Sequence, residues 1–533
     1  MTQEELQELC MKKDLLLEAS LLQVLSTLGN ISFANLLLEK IKNISGKKFI
    51  TKNTIESNRE KIYGFINEFP GSEELNKKEI LDKLNFDFKS APLDPKKEFS
   101  AGKKLQSGAP KIKVISSPMA PGKKLEVKDF VSYFRGRYET MKTILEGNPK
   151  LENLVSINKI SSEKQKFSVI GMVYGKSLTK NKNVILEIED LSGKMKVLIS
   201  ASKEDLIKVS EDITLDTVLG FKGVGNSEIM FANEIFFPEA NLPERKKSDI
   251  EEYVAFIGDV HFGSKNFLEK DFMRFIDYLN GKFPNTPEVE KIKYLFIVGD
   301  LITGIGNYPN QEPDLKIKNL EGQFEVIAGF LSKIRKDIQI ILSPGNHDCV
   351  RLMEPQPLLD EKYAWPLYQL ENVTIIGNPA TVKIGESKTF DGFDILIYHG
   401  FSYPFYANNI PELISLKAMN QPEKIMKYLL KNRHLAPTHT STQYFPMDPD
   451  PLLIKETPDI FVSGHTHKSG VTYFNNVLVI SVSSWEGFSS YQEKFGNKPD
   501  HCKVPLFNLK TRQVKILDFE TGEDGVRLYQ ETN

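Results

Sequence analysis

Five short motifs hold the residues whose types and spacing can do chemistry. They are Gly258-Asp259-Val260-His261, Gly299-Asp300, Gly345-Asn346-His347-Asp348, His399-Gly400 and Gly464-His465-Thr466-His467. Of the eight histidines in the chain, five fall inside these motifs. Carboxylate, amide oxygen and imidazole are the donors that suit divalent ions such as Mn²⁺, Fe²⁺ and Zn²⁺, and no thiolate is offered. Asp259 and His261 are two apart, so one turn can present both to one ion. His465 and His467 have the same spacing and can be divided between two. Asp300 stands alone, and one carboxylate with two oxygens is what a bridge between ions needs. Asn346 supplies a neutral oxygen, which keeps the site from becoming too anionic to hold phosphate. Two ions ~3.5–4 Å apart lower the pKa of a shared water and clamp an in-line displacement at phosphorus. His347 is placed to protonate the leaving oxygen, and Asp348 to hold that imidazole in position. A lone Gly-Asp or a single histidine is common in folds without chemistry. All five motifs, in order and each after an apolar run, are not.

Those runs are the elements that must position the motifs. Tyr253–Ile257, Tyr294–Val298, Ile338–Leu342, Ile395–Tyr398, Ile460–Val462 and Val477–Ser481 read as short buried strands. Phe267–Gly281 and Leu320–Arg335 read as helices between them. The pattern predicts a layered α/β domain over residues 246–533, including C-terminal strands. In such sheets ligand groups gather at the carboxyl ends of the strands, so the five motifs can share one crevice.

Upstream, Phe167–Val173, Val184–Glu189, Met195–Ile199, Val218–Phe221 and Ile229–Ala232 predict about five short strands, the number and spacing of a small closed barrel of the OB type. With an amphipathic helix from Phe130 to Leu145, this makes a domain over residues 130–245. Gly175-Lys176-Ser177 mimics a phosphate-binding loop, but Ile170 stands where that loop needs its first glycine. Residues 1–85 read as a small helical module. Residues 86–129 read as a flexible Pro/Lys-rich linker: between Lys89 and Asp129 ten lysines face four acids. That basic tether could also touch phosphates nonspecifically.

The composition fits a multidomain globular chain: 533 residues, 40% hydrophobic and 26% charged, with a net charge of −2 that excludes a protein basic throughout. Cys10, Cys349 and Cys502 are far apart and offer neither a disulfide framework nor a paired-cysteine metal site. The acidic start and the lack of a long apolar run lead us to expect a cytoplasmic chain with no membrane segment.

The five motifs resemble the signature of the calcineurin-like metallophosphoesterases. The resemblance implies one ion on Asp259, His261, Asp300 and His467, a second on Asp300, Asn346, His399 and His465, and His347 as general acid. It further implies Mn²⁺ as the expected metal, with Mg²⁺, Fe²⁺ or Zn²⁺ as alternatives. Where many phosphatases of that superfamily carry further acids after the second motif, this chain reads Leu301-Ile302-Thr303-Gly304. Longer stretches are similar to one branch, the small subunits of archaeal D-family DNA polymerases: Gly345–Arg351 running on to Glu354-Pro355-Gln356-Pro357, Arg433–Pro437, and Phe130–Tyr138 ahead of the barrel. This likeness spans about residues 130 to 520. It implies an OB domain beside the phosphoesterase domain and a 3′–5′ exonuclease that proofreads DNA. The implied partners are a large polymerising subunit in a heterodimer, single-stranded DNA or frayed 3′ ends, and a sliding clamp, in a nucleoid-associated setting.

Two other functions compete. The chain can be a catalytically silent scaffold for the large subunit, but the full set of ligand types favours an active site. A stand-alone phosphatase or phosphodiesterase has no evident need for a barrel and a tethered helical module. For contacts to nucleic acid, Phe401, Tyr403, Phe405 and Tyr406 follow His399 directly, with Pro404 expected to keep the segment extended, and Arg351 lies just past the third motif. Tyr403, Phe405 and Tyr406 are expected to stack unpaired bases at ~1–3 kcal/mol each, with Arg351 on the phosphates.

Overall fold

The structure is a computed structural model. It describes residues 3–51 apart from 14, 27–30 and 46–47, the single positions 54 and 62, and residues 110–532 apart from 121, 489–497 and 521–525. It divides into two units, residues 1–100 and 101–533.

In the first unit, α1 (Gln3–Lys12) is followed by β1 (Leu16–Leu17), α2 (Ala19–Ser26), α3 (Ile31–Ser45) and β2 (Phe49–Ile50), with β1 and β2 pairing in parallel. Leu37, Leu38 and Ile41 of α3 are buried together with Leu21 and Leu25 of α2, the i, i+4 spacing of amphipathic helices. The helix expected to continue toward residue 85 and the linker up to residue 109 lie outside the described residues.

The second unit opens with a difference from the sequence reading. Ile112–Ser116, expected as part of a flexible linker, forms strand β3 and pairs antiparallel with Thr381–Ile384 at the edge of a sheet. Next comes α4 (Val127–Glu146), begun by a capping box in which Glu126 and Asp129 satisfy each other's backbone. It buries Tyr133, Arg137, Tyr138, Met141 and Leu145. Strands β4 (Gln165–Leu178), β5 (Val184–Glu189) and β6 (Lys194–Ile199), helix α5 (Glu204–Glu211), then β7 (Val218–Gly225) and β8 (Ile229–Phe236) close into a barrel of order β4-β5-β6-β8-β7. Along β5 every second residue is buried, as one inward face requires. Helix α4 packs Tyr138, Met141 and Leu145 onto the barrel, while its Tyr133 enters the core of the following domain.

That domain alternates strand and helix: β9 (Tyr253–Ile257), α6 (Glu269–Leu279), β10 (Ile292–Val298), α7 (Leu320–Leu331), β11 (Gln339–Ser343), α8 (Glu361–Tyr368), β12 (Val373–Ile375), β13 (Ala380–Ile384), β14 (Phe393–Ile397), α9 (Tyr403–Asn409), α10 (Pro422–Asn432), β15 (Ile460–Ser463), β16 (Gly470–Phe474), β17 (Val477–Ser481), β18 (Lys503–Asn508), β19 (Val514–Asp518) and β20 (Arg527–Thr532). Seven strands form one sheet in the order β12-β11-β10-β9-β18-β19-β20, and six form another, β16-β17-β15-β14-β13-β3. The two sheets face each other across Val254, Phe256, Phe296, Ile395, Val462 and Ile480. Helices α6, α7 and α8 cover the outer face of the first, and α9 and α10 that of the second. The central strands are therefore buried on both faces. That is why they read as continuous apolar runs instead of alternating ones.

Candidate metal centre

Strands β9, β10 and β11 run parallel in one sheet and β14 and β15 run parallel in the other. All five motifs leave the carboxyl ends of these strands. The turns are forced close: a Cβ on Gly345 would sit 2.2 Å from Asp300 Oδ1, and one on Gly299 would sit 2.3 Å from His399 Nδ1. No side chain fits at either position, so the loops that carry the motifs touch backbone to side chain. Five of the seven expected ligands hold left-handed backbone, with φ of 47° at Asp259, 53° at His261, 48° at Asp300, 71° at His465 and 56° at His467. Such residues persist only where the surroundings over-determine them. At Asp259 the N–H donates to the Gly299 carbonyl, while its own carbonyl accepts from Trp485 N and Ser484 Oγ.

All seven expected ligands meet. The donor atoms of Asp259, His261 and His467 lie within 4.8 Å of one another, as do those of Asp300, His399 and His465. Asp300 joins the two groups. Its Oδ1 accepts the His347 N–H at 2.8 Å, and its Oδ2 is 3.3 Å from His399 Nε2 and 3.9 Å from His261 Nε2. Asn346 Oδ1 sits 3.1 Å from His399 Nε2 and 3.0 Å from His465 Nδ1. His261 Nε2 and His467 Nε2 are 3.1 Å apart. Asp259 accepts the His465 N–H on both oxygens at 3.0 Å.

Burial, then neighbouring imidazoles, hold His261 and His465 neutral at about 3 and push His467 well down, so their lone pairs are available. Burial raises Asp259 well above the ordinary carboxylate range, only partly offset by His399. At Asp300 burial is outweighed by His399, His347 and His261, and its carboxyl falls well below that range. The same pair works on His399: burial would lower it, but Asp300 lifts it to about 10. Four imidazoles, two carboxyl groups and one amide oxygen converging on a common point are a donor set that fits a pair of divalent cations.

His347 stands over this cluster with its ring edge-on to His261, centroids 4.9 Å apart. Its Nδ1 donates to the Thr303 carbonyl at 2.9 Å, which leaves Nε2 as the atom that exchanges a proton. Asn307 Nδ2 and Gln311 Nε2 donate to the same carbonyl, and Gln323 Oε1 accepts the next N–H, from Gly304. These supports escaped the sequence reading; the only signal was the Thr303-Gly304 turn itself.

Three expectations need correction. Asp348 does not hold His347. It accepts the backbone N–H of Ile302 at 2.9 Å and of Gly345 at 2.7 Å, pinning two loops together, and burial with the nearby Asp300 charge raises it to about 8. Tyr403 and Tyr406 are fully buried core residues, because Pro404 starts helix α9 instead of extending the chain. Phe405 is half-buried and lines a groove of about 790 Å³ with Lys176 and Leu178 of the barrel. Arg351 spends its guanidinium on the carbonyls of Met353 and Pro355 and on the face of Phe445. The aromatic ring left at the centre is the half-buried Phe401, 5.8 Å from the His465 ring.

Residues 253–469 match the calcineurin-like phosphoesterase family. Over 405 residues the chain is 36% identical to the DNA polymerase II small subunit of Pyrococcus furiosus, covering 74% of this chain and 64% of that one. Over 398 residues it is 34% identical to the DNA polymerase II small subunit of Methanothermobacter thermautotrophicus, covering 74% of this chain and 80% of that one. The corresponding figures for Archaeoglobus fulgidus are 33% over 426 residues, 79% and 83%. The chain thus spans just under two thirds of the Pyrococcus relative and about four fifths of the other two.

Proposed function

The chain belongs to the DNA polymerase II small subunit family, and from that premise we propose that it is the nuclease subunit of a heteromeric archaeal replicative polymerase. It removes 3′ nucleotides from single-stranded or frayed DNA by phosphodiester hydrolysis and docks on a large polymerising subunit. Barrel order and the helix between its third and fourth strands support an OB-type assignment.

Asp259, His261, His467 and Asp300 would hold one divalent cation, and Asp300, Asn346, His399 and His465 a second. When bound, the pair supplies Lewis acidity toward the phosphate and a water of lowered pKa. The protein's own groups do the rest. Asp300 keeps the two ligand clusters in register, because one carboxylate serves both and its other oxygen is tied to the backbone of His347. His347 carries a proton on Nε2 to the departing 3′ oxygen, with Nδ1 anchored on Thr303 O. Asp348 fixes the loop from which Asn346 and His347 project. A 3′ end that is already unpaired costs less to deliver to such a cleft, which favours mismatches.

The observation that carries this reading is the Asp300 carboxylate, placed between His261 and His399. The test is Mn²⁺-dependent digestion of single-stranded DNA labelled at the 5′ or the 3′ end, by the wild type and by Asp300→Ala. A ladder shortening from the 3′ end, abolished in the variant, is the expected result. A wild-type chain inert on DNA in both Mn²⁺ and Mg²⁺ would leave the scaffold role alone.

A further inference from the structure

Behind the metal centre lies a polar bridge that no motif announces. Gln356 and Asn378 are fully buried, each 0% exposed. Their backbones exchange hydrogen bonds, Gln356 N to Asn378 O at 2.6 Å and Asn378 N to Gln356 O at 3.1 Å. Their side chains join as well, Asn378 Nδ2 donating to Gln356 Oε1 at 2.7 Å. From this pair two arms reach the loops that bear expected ligands. Asn378 Oδ1 accepts the His399 N–H at 2.8 Å, and Gln356 Nε2 donates to the carbonyl of Gly345, the residue before Asn346, at a longer 3.5 Å.

We propose that Gln356 and Asn378 are positioning residues that lock the His399 loop to the Asn346 loop, so that one of the two cation subsites is built before any cation arrives. The proposal rests on the two-cation reading above. Two amides buried at such a place cost desolvation unless every arm is used, and here each arm ends on the partner or on a loop with a ligand. The remaining freedom of His399 is removed from other sides. Its carbonyl accepts from Gly464 N and Ser463 Oγ, and its ring donates Nδ1 to Val298 O at 3.2 Å. With main chain and ring both held, Nε2 can face only Asp300 and Asn346. The other subsite is held differently: among the described residues His261 Nδ1 has no hydrogen-bond partner, so its ring lacks the anchor that fixes His399. Partners of this kind typically change metal affinity by ~10–100-fold. The two subsites should therefore differ in affinity, the one with His399, Asn346 and His465 filling first.

The test is Mn²⁺ titration of metal-stripped full-length protein by calorimetry, with electron paramagnetic resonance at one and two equivalents and a melting curve for each protein. Asn378→Leu removes the acceptor for His399 without adding bulk, and Gln356→Met cuts the second arm. The wild type should bind two Mn²⁺ in two resolved events. Each variant should lose ~10–100-fold in the tighter event only, keeping the weaker one within about threefold. Asn378→Asp keeps an acceptor for the His399 N–H but loses the donor to Gln356 Oε1, so it should recover only part of the loss. Equal weakening of both events, no change in either, or failure of both variants to fold would overturn the proposal by making the pair ordinary core. A wild type that binds fewer than two Mn²⁺ would instead overturn the two-cation reading itself.

Discussion

Replacing Arg137 with methionine probes the joint where α4, the barrel and the phosphoesterase domain meet. The guanidinium is fully buried. Its Nε donates to Asp450 Oδ2 at 2.7 Å, Nη1 to the carbonyls of Pro437 and Asp216, and Nη2 to Tyr133 Oη. Asp450 also accepts from His434 Nε2 at 2.8 Å, and His434 Nδ1 accepts the Ala436 N–H, so the ring is neutral. Burial, then Arg137, push His434 down to about 4. Against an unfolded value near 6.5, the native state binds fewer protons between those limits. Wild-type stability therefore falls as pH drops across that window, by on the order of 3 kcal/mol at full extent. Methionine strands the Asp450 carboxylate, which should cost ~3–5 kcal/mol at pH 7.5. It also relieves His434 of a neighbouring positive charge while leaving the carboxylate beside it. Burial still depresses His434, but less strongly without Arg137, so that variant loses less stability than the wild type as pH falls through the imidazole range. The gap between the two proteins should narrow by up to ~1 kcal/mol between pH 7.5 and 5.5. Urea unfolding at both pH values measures it, and in a His434→Gln background the narrowing should vanish. A gap that is constant, or wider in acid, would refute the reasoning.

His347→Ala should slow hydrolysis ~10²–10⁴-fold while bound Mn²⁺, measured by elemental analysis, stays unchanged; a lost metal would make it a ligand instead. Asp348→Ala leaves two buried N–H groups without acceptors. It should lower stability by ~1–3 kcal/mol per group, read as a fall in melting temperature, whereas a residue that only oriented His347 would leave melting intact. Phe401→Ala should raise KM for single-stranded DNA ~5–100-fold, the worth of about one stacked base. Its rate on bis-p-nitrophenyl phosphate, which has no base, should hold, and equal losses on both would show that the ring merely supports His465.

The central strands and the five motifs at their ends were legible because their signals are local. Runs such as Tyr253–Ile257 are apolar on both faces and end in a glycine turn. What stayed hidden depends on distant partners. Lys111 to Val114 alternates lysine with apolar residues, but among prolines the pattern reads as linker, and the strand that pairs with Ile112–Ser116 is more than 260 residues away. Tyr403, Tyr406, Ala407 and Ile410 carry the i, i+3, i+4, i+7 spacing of a buried helix face; Pro404 was read as extending the chain when it opens a helix. Asp348 misled by adjacency, since its carboxylate turns back to the backbone of Ile302 and Gly345. Gln356 and Asn378 have no motif at all, and only the fold brings them together.

The left-handed backbone at Asp259, His261, Asp300, His465 and His467 says something about disuse. Glycine would be unstrained at each of these places, and asparagine nearly so. Aspartate shares the tolerance of asparagine, but histidine is held there against a penalty of ~1–2 kcal/mol apiece. A relative that kept only its scaffolding task would gain stability by drifting to glycine or asparagine at His261, His465 and His467. Decay of the proposed nuclease site would thus leave a more robust fold behind, and its earliest trace would be written in the turns, ahead of any change in the strands.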